Sequence, residues 1–259
     1  MNLETDCLKI LRELEEGSLK DTRALSIEAI SLIDLTLLDE SADSQALDLL
    51  TQKANCHLVA AICVLPQHLE RLMPAASIKK ATVINFPEGT QSTHQVLTSI
   101  EKVITKYVID EIDYVFPYQS YLGGEKEFAL AQCQQAYRLC EQQKVTFKVI
   151  LETGAFPSLV SIYNLSTEII NNGCNFLKTS TGKITQGATP SAAFALLRAI
   201  KDSGENCGIK VSGGIKKPEQ AFLYMRLAKQ VLNRKLEKSW FRIGASSLLD
   251  ELVSYKVKV

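Results

Sequence analysis

Charged residues interrupt runs that are largely apolar, among them Asp34 in EAISLIDL, Asp113 in EIDYVF, Lys148 and Glu152 in TFKVILET, Lys178 in NFLKT and Lys210 in GIKVS. A charge inside an apolar segment is costly unless paired, so Asp113, Lys178 and Lys210 are expected to converge and satisfy one another. A purely structural ion-pair cluster would produce the same pattern. The chemical reading uses identical geometry. An ammonium held beside a second ammonium gives up its proton more readily, which populates a neutral, nucleophilic amine near neutral pH. Such an amine can form an imine with a carbonyl substrate. Other chemistries have less support: His57, His68 and His94 show no metal-ligand spacing and no triad pattern. The seven cysteines, Cys7, Cys56, Cys63, Cys133, Cys140, Cys174 and Cys207, include no CxxC pair, and their odd number fits free thiols in a reducing compartment.

What must position these groups is a repeating α/β pattern. Eight short apolar or β-branched runs occur at about 28–35, 57–65, 80–86, 111–116, 146–153, 175–179, 208–212 and 240–245, separated by amphipathic segments. Their near-continuous hydrophobicity implies strands covered on both faces, as in a barrel wall. In 92–107 the apolar residues Val96, Ile100, Val103 and Tyr107 form one helical stripe. In 189–204, Thr189 can cap, Pro190 suits the first turn and Gly204 can end the helix. A further helix at about 2–17 has no place in the repeat and is free to cap the bottom of the barrel. The fold expected is therefore α/β, a (β/α)8 TIM barrel, one domain over residues 1–259 with an extra N-terminal helix; the length suits it. A doubly wound open sheet is the alternative, but a GxGxxG after the first strand is absent. In a parallel barrel the site forms at the C-terminal strand ends, where Asp34, Lys178 and Lys210 are expected to lie, with Asp113 inside the fourth strand.

Lys plus Arg (29) balances Asp plus Glu (29), so no overall basic field draws the chain to nucleic acid or an anionic membrane. No apolar run is long enough to span a membrane, and the N-terminus reads as an amphipathic helix rather than a targeting peptide, so a cytoplasmic enzyme is expected. Phosphate recognition must then be local. KTSTGK at 178–183 is not a P-loop, because Gly173 is too far from Gly182 and Ile184 replaces the required Ser or Thr. Its backbone N–H groups, hydroxyls and Lys183 still suit one wall of a phosphate site, and SGGIKKP at 212–218 and GASS at 244–247, the latter opening a short helix, supply the rest. Singly each cluster reads as a plain turn.

The motifs LIDLT, AAIC, NFPEG, EIDYVFP, KVILETG, FLKTSTGK, GIKVSGGI and RIGASSLL, in this order across nearly the whole chain, closely resemble the strand-end motifs of the deoxyribose-phosphate aldolase family. The resemblance implies reversible cleavage of 2-deoxy-D-ribose 5-phosphate to D-glyceraldehyde 3-phosphate and acetaldehyde, with no metal or other cofactor. It implies Lys178 as the Schiff-base lysine, Lys210 as the lysine that tunes it, and Asp113 as the acid/base group. Asp34 and Thr36 would orient the sugar hydroxyl or its water network. Thr181, Gly182, Lys183, Gly213, Gly214, Ser246 and Ser247 would line the phosphate side. Cys63 would face the pocket or sit as a buried thiol, and Lys148 would support the charge network at the substrate site, with Glu152 on the same strand face. Val211 stands where some relatives carry Pro, and Tyr255 does not match the terminal tyrosine of others. Another lysine-dependent barrel aldolase and a catalytically silent sugar-phosphate-binding barrel are the competing readings. Self-association as a homodimer is expected.

Overall fold

The computed structural model describes residues 2–17 and 21–258. Position 1, positions 18–20 and position 259 of the expected domain lie outside the described residues. Eight parallel strands close into a barrel in sequence order: β1 (Ile33–Leu37), β2 (Ala61–Val64), β3 (Lys79–Ile84), β4 (Glu111–Val115), β5 (Thr146–Ile150), β6 (Phe176–Lys178), β7 (Gly208–Ser212) and β8 (Phe241–Ala245). The helices are α1 (Leu3–Glu16), α2 (Thr22–Ser31), α3 (Ser44–His57), α4 (Thr93–Lys106), α5 (Tyr118–Leu122), α6 (Lys126–Gln142), α7 (Leu159–Asn172), α8 (Pro190–Ser203), α9 (Pro218–Leu232) and α10 (Leu248–Lys258). Among the described residues no helix is long and apolar enough to cross a membrane.

Local chemistry sets the helix ends. Ser92 and Gln95 form a reciprocal capping box at α4, whose Val96, Ile100 and Val103 are buried. Each such side chain contributes about 1.5–3 kcal/mol of hydrophobic stabilisation. The Thr189 side chain accepts from the Ala192 N–H, Pro190 opens α8, and Gly204 ends it in the left-handed conformation.

Three expectations change. Residues 28–31 belong to α2, so β1 starts at Ile33; two helices, not one, precede the barrel. The first does not cap the bottom. α1 lies across the outer faces of α7, α8 and α9, with Asp6 paired to Arg198 and Gln230 donating to Glu13. Third, the β2–β3 crossover contains a short 3-10 helix, Pro66–Arg71, instead of an α-helix. Pro66 and Pro74 leave too little chain between them for more.

Candidate active site

Side chains of a strand alternate between the two faces of the sheet, and one face of every barrel strand points inward. Alternation places Ala61, Glu111, Phe176 and Arg242 in the lowest interior layer, from β2, β4, β6 and β8. Asp34, Ala81, Lys148 and Lys210 follow from the odd strands, then Cys63, Asp113, Lys178 and Gly244 from the even ones. On one side Cys63, Leu65, Ala81 and Val83 form a small apolar cluster separate from the main core between sheet and helices. The other side is filled with charge. Gly244 makes room for it: a Cβ there would lie 2.9 Å from the Lys210 Cε.

The charged groups form one connected network. Arg242 donates to Asp34 at 2.6 Å and to Glu111 at 2.8 Å. Lys148 donates to Glu111 at 2.6 Å and Asp113 at 2.9 Å. Lys210 lies 2.7 Å from both Asp34 and Asp113, and Lys178 lies 2.7 Å from the same Asp113 oxygen, Oδ2. The carboxylates Asp34, Glu111 and Asp113 are therefore matched by the cations Lys148, Lys210 and Arg242, and the network is neutral when Lys178 carries no charge. Burial pushes the Lys178 amine below the ordinary ammonium range; Lys210 adds to that effect while Asp113 opposes it. Lys210 and Lys148 move the opposite way, because their carboxylate partners outweigh burial. Burial also works against ionised Asp34 and Asp113, yet the surrounding cations hold both below the usual carboxylate range.

Lys178 is where this network meets open space. It lines a cavity of about 370 Å³ with Thr36, Thr181, Ser212, Ala245 and Ser246. The cavity wall continues through Gly182, Lys183, Gly213, Gly214 and Lys216. Gly182, Gly213 and Gly214 have φ of +80°, +94° and +81°, which turns backbone N–H groups where a side-chain-bearing residue would be strained. The loop after β6 rests on the loop after β7: Ala188 N–H donates to the Gly213 carbonyl at 3.0 Å. Glu152, left-handed at φ +56°, receives the Thr181 hydroxyl and amide and ties the first of these loops to β5. Its carboxyl is pushed up by burial. A larger groove of about 520 Å³ between the 66–71 turn and α4 contains none of the buried charges.

The structure places several of the expected site residues beneath or beside the cavity instead of in its lining. Asp34 is the second residue of β1, not its end, and is held beneath the cavity by Lys210 and Arg242. Lys210 is likewise mid-strand. Lys148 is fully buried below Asp113, so it supports the network without reaching the cavity. Cys63 is fully buried 4.0 Å from Asp113, its thiol pushed up to about 11 by burial and that carboxylate. Ser247 is exposed just outside the lining, between β8 and α10. Tyr255 packs edge-on against Phe222. Sequence reasoning passed over Glu111, Arg242 and Lys216. The first stands two residues before Asp113 on the same strand face, and Arg242 is the one charge in WFRIGA.

The sequence profile of the DeoC/LacD aldolase family matches residues 28–251. The chain is 37% identical to the deoxyribose-phosphate aldolase of Agrobacterium fabrum, covering 91% of this chain and 93% of the relative. The tetrameric deoxyribose phosphate aldolase structure from Aeropyrum pernix matches with a TM-score of 0.73 at 23% identity, covering 94% of this chain and all (100%) of that one. A candidate deoxyribose-phosphate aldolase structure from Coccidioides immitis matches with a TM-score of 0.78 at 22% identity, covering 99% and 98% of the two chains. The structural likenesses carry the barrel, and the two sequence matches carry more: the chain belongs to the DeoC/LacD family of aldolases.

Proposed function

We propose that this chain is a deoxyribose-phosphate aldolase that reversibly cleaves 2-deoxy-D-ribose 5-phosphate to D-glyceraldehyde 3-phosphate and acetaldehyde through an imine on Lys178. The observation that carries the reading is a lysine at the cavity wall, 2% exposed, whose neutral form balances the buried charge around it. The neutral amine attacks the substrate carbonyl, and loss of water from the carbinolamine gives the protonated imine. That imine accepts the electron pair released when the C–C bond breaks, leaving an enamine. Asp113, bonded to both lysines, is placed to take and return protons beside Lys178, directly or through a water. Burial, with Lys210 adding to it, weakens the hold of Lys178 on its proton. Gly182, Lys183, Gly213, Gly214, Lys216 and Ser246 also line the cavity, where backbone donors and two ammonium groups suit a phosphate. Thr36 and Thr181 line the same cavity and suit contact with sugar hydroxyls.

Borohydride reduction with acetaldehyde or deoxyribose 5-phosphate, followed by mass spectrometry, tests the proposal. An adduct on Lys178 is expected in the wild-type protein and none in Lys178→Leu, which retains its circular dichroism spectrum. Turnover by that folded variant would remove Lys178 from the mechanism. We also read the whole chain as one domain acting in the cytoplasm as a homodimer; light scattering of the purified protein tests the assembly.

A further inference from the structure

Two buried charges lie deeper than anything the substrate can touch. Glu111 and Arg242 occupy the lowest interior layer and bind each other at 2.8 Å. Both also reach upward, Arg242 to Asp34 and Glu111 to Lys148. Asp34 in turn holds Lys210, and Lys148 holds Asp113. Glu111 is thus two contacts, and Arg242 three, from Asp113, the carboxylate that binds Lys178. In the barrel order, β4 and β8 stand two strands either side of β6.

We infer that Glu111 and Arg242 are a matched pair of positioning residues that set the charge state of Lys178, acting through Lys148–Asp113 on one side and Asp34–Lys210 on the other. The inference rests on Lys178 being the reactive amine. The other groups that face it are members of the network, the Cys63 thiol and the Glu152 carboxyl, which burial pushes up, with the Lys183 and Lys216 ammonium groups on the wall of the same cavity. β1 brings Asp34, β2 the thiol of Cys63, β4 Asp113, β5 Lys148 and Glu152, and β7 Lys210, while β3 contributes Ala81 and Val83. With Lys178 neutral, the three carboxylates and three cations of the network cancel. Removing Glu111 leaves the network one unit positive and makes protonated Lys178 less favourable. Removing Arg242 leaves it one unit negative and does the reverse. Removing both restores neutrality. A pair that only filled space would not act with opposite signs.

The size of the effect follows from the distance. Two strand spacings are roughly 10 Å, and a unit charge at that range in an effective dielectric near 20 moves a neighbouring titration by about one pH unit. The experiment is the pH dependence of acetaldehyde trapping at Lys178 by cyanoborohydride, read by mass spectrometry of the peptide that contains it. Wild type, Glu111→Gln, Arg242→Met and the double variant are compared after circular dichroism has established folding. The midpoint is expected about one unit lower in Glu111→Gln, about one unit higher in Arg242→Met, and back near wild type in the double variant. If Arg242→Met does not fold, the downward shift in Glu111→Gln and its reversal in the double variant still decide. Midpoints that coincide across the folded variants, or that move in one direction in both single variants, overturn the inference. Absence of a Lys178 adduct in the wild type would instead overturn the reading of Lys178 as nucleophile.

Discussion

Replacing Lys210 by Met should raise the pH at which Lys178 becomes nucleophilic, and the structure gives the size. Both ammonium nitrogens lie 2.7 Å from Asp113 Oδ2. Two groups sharing one oxygen in this way are about 5 Å apart, so at an effective dielectric near 20 their mutual repulsion is about 3 kcal/mol. That repulsion corresponds to about two pH units. Loss of Lys210 also leaves Asp113 with one cation fewer, so its carboxylate holds the Lys178 proton more firmly, which acts in the same direction. At a fixed pH below the midpoint, the neutral amine population should fall about a hundredfold. Lys210→Arg keeps the charge and should keep the midpoint within a fraction of a unit. The assay is the pH profile of reductive trapping at Lys178, which isolates imine formation from later proton transfers. A Lys210→Met variant that is folded, loses turnover, and still traps acetaldehyde with the wild-type midpoint would refute the electrostatic argument and leave Lys210 only a proton-relay role.

Other consequences can be measured on stability and binding. For Asp34 burial favours the neutral acid, but Lys210, Arg242 and Lys148 outweigh it, and the folded pKa lies below the unfolded one. The stabilisation is therefore fully present above the unfolded value of about 4 and is lost as pH falls towards the folded value. Asp34→Asn should cost about 3–5 kcal/mol at neutral pH by leaving buried cations unpaired, and its urea-unfolding free energy should fall less steeply below pH 4 than that of wild type. Equal slopes would show that Asp34 is not ionised in the folded barrel. In Gly187→Ala the new methyl would collide with the Gly213 carbonyl. Displacing that loop by a fraction of an ångström should raise KM for the phosphorylated substrate by about tenfold with a smaller change in kcat; an unchanged KM would remove Gly213 from phosphate binding.

The sequence made the barrel readable because its local signals agree with one another. Ser92 and Gln95, or Thr189, Pro190 and Gly204, mark helix ends by side-chain chemistry that operates within a few residues. Lys178 was visible as a charge at the end of a buried strand. What escaped needed information from far along the chain. EAISLIDL reads as one apolar run, and periodicity alone does not separate the last turn of α2 from the start of β1. Arg242 and Glu111 are 131 residues apart and meet only because the barrel closes. Asp34 was assigned to the mouth because β1 was expected to end there; the strand continues for three residues beyond it, to Leu37, which lowers Asp34 by one layer.

The composition of the interior explains why so much charge is tolerated. A barrel core is ordinarily filled with branched apolar side chains, and replacing buried ion pairs by such residues is often neutral or stabilising. Stability alone therefore gives no reason for Asp34, Glu111, Asp113, Lys148, Lys210 and Arg242 to share one interior. The proposed control of the Lys178 charge state supplies one. In a region that excludes water, the protonation of an amine depends on the whole sum of nearby charge, and an even balance makes the neutral amine the electrically satisfied state. A single lysine beside Lys178 would lower its pKa but would leave its own charge uncompensated. Asp34 and Asp113 supply that compensation, Lys148 and Arg242 balance the carboxylates in turn, and Glu111 closes the circuit at the bottom of the barrel. With Lys178 read as the reactive amine, the depth of the network follows from placing a neutral amine next to one permanent cation away from solvent.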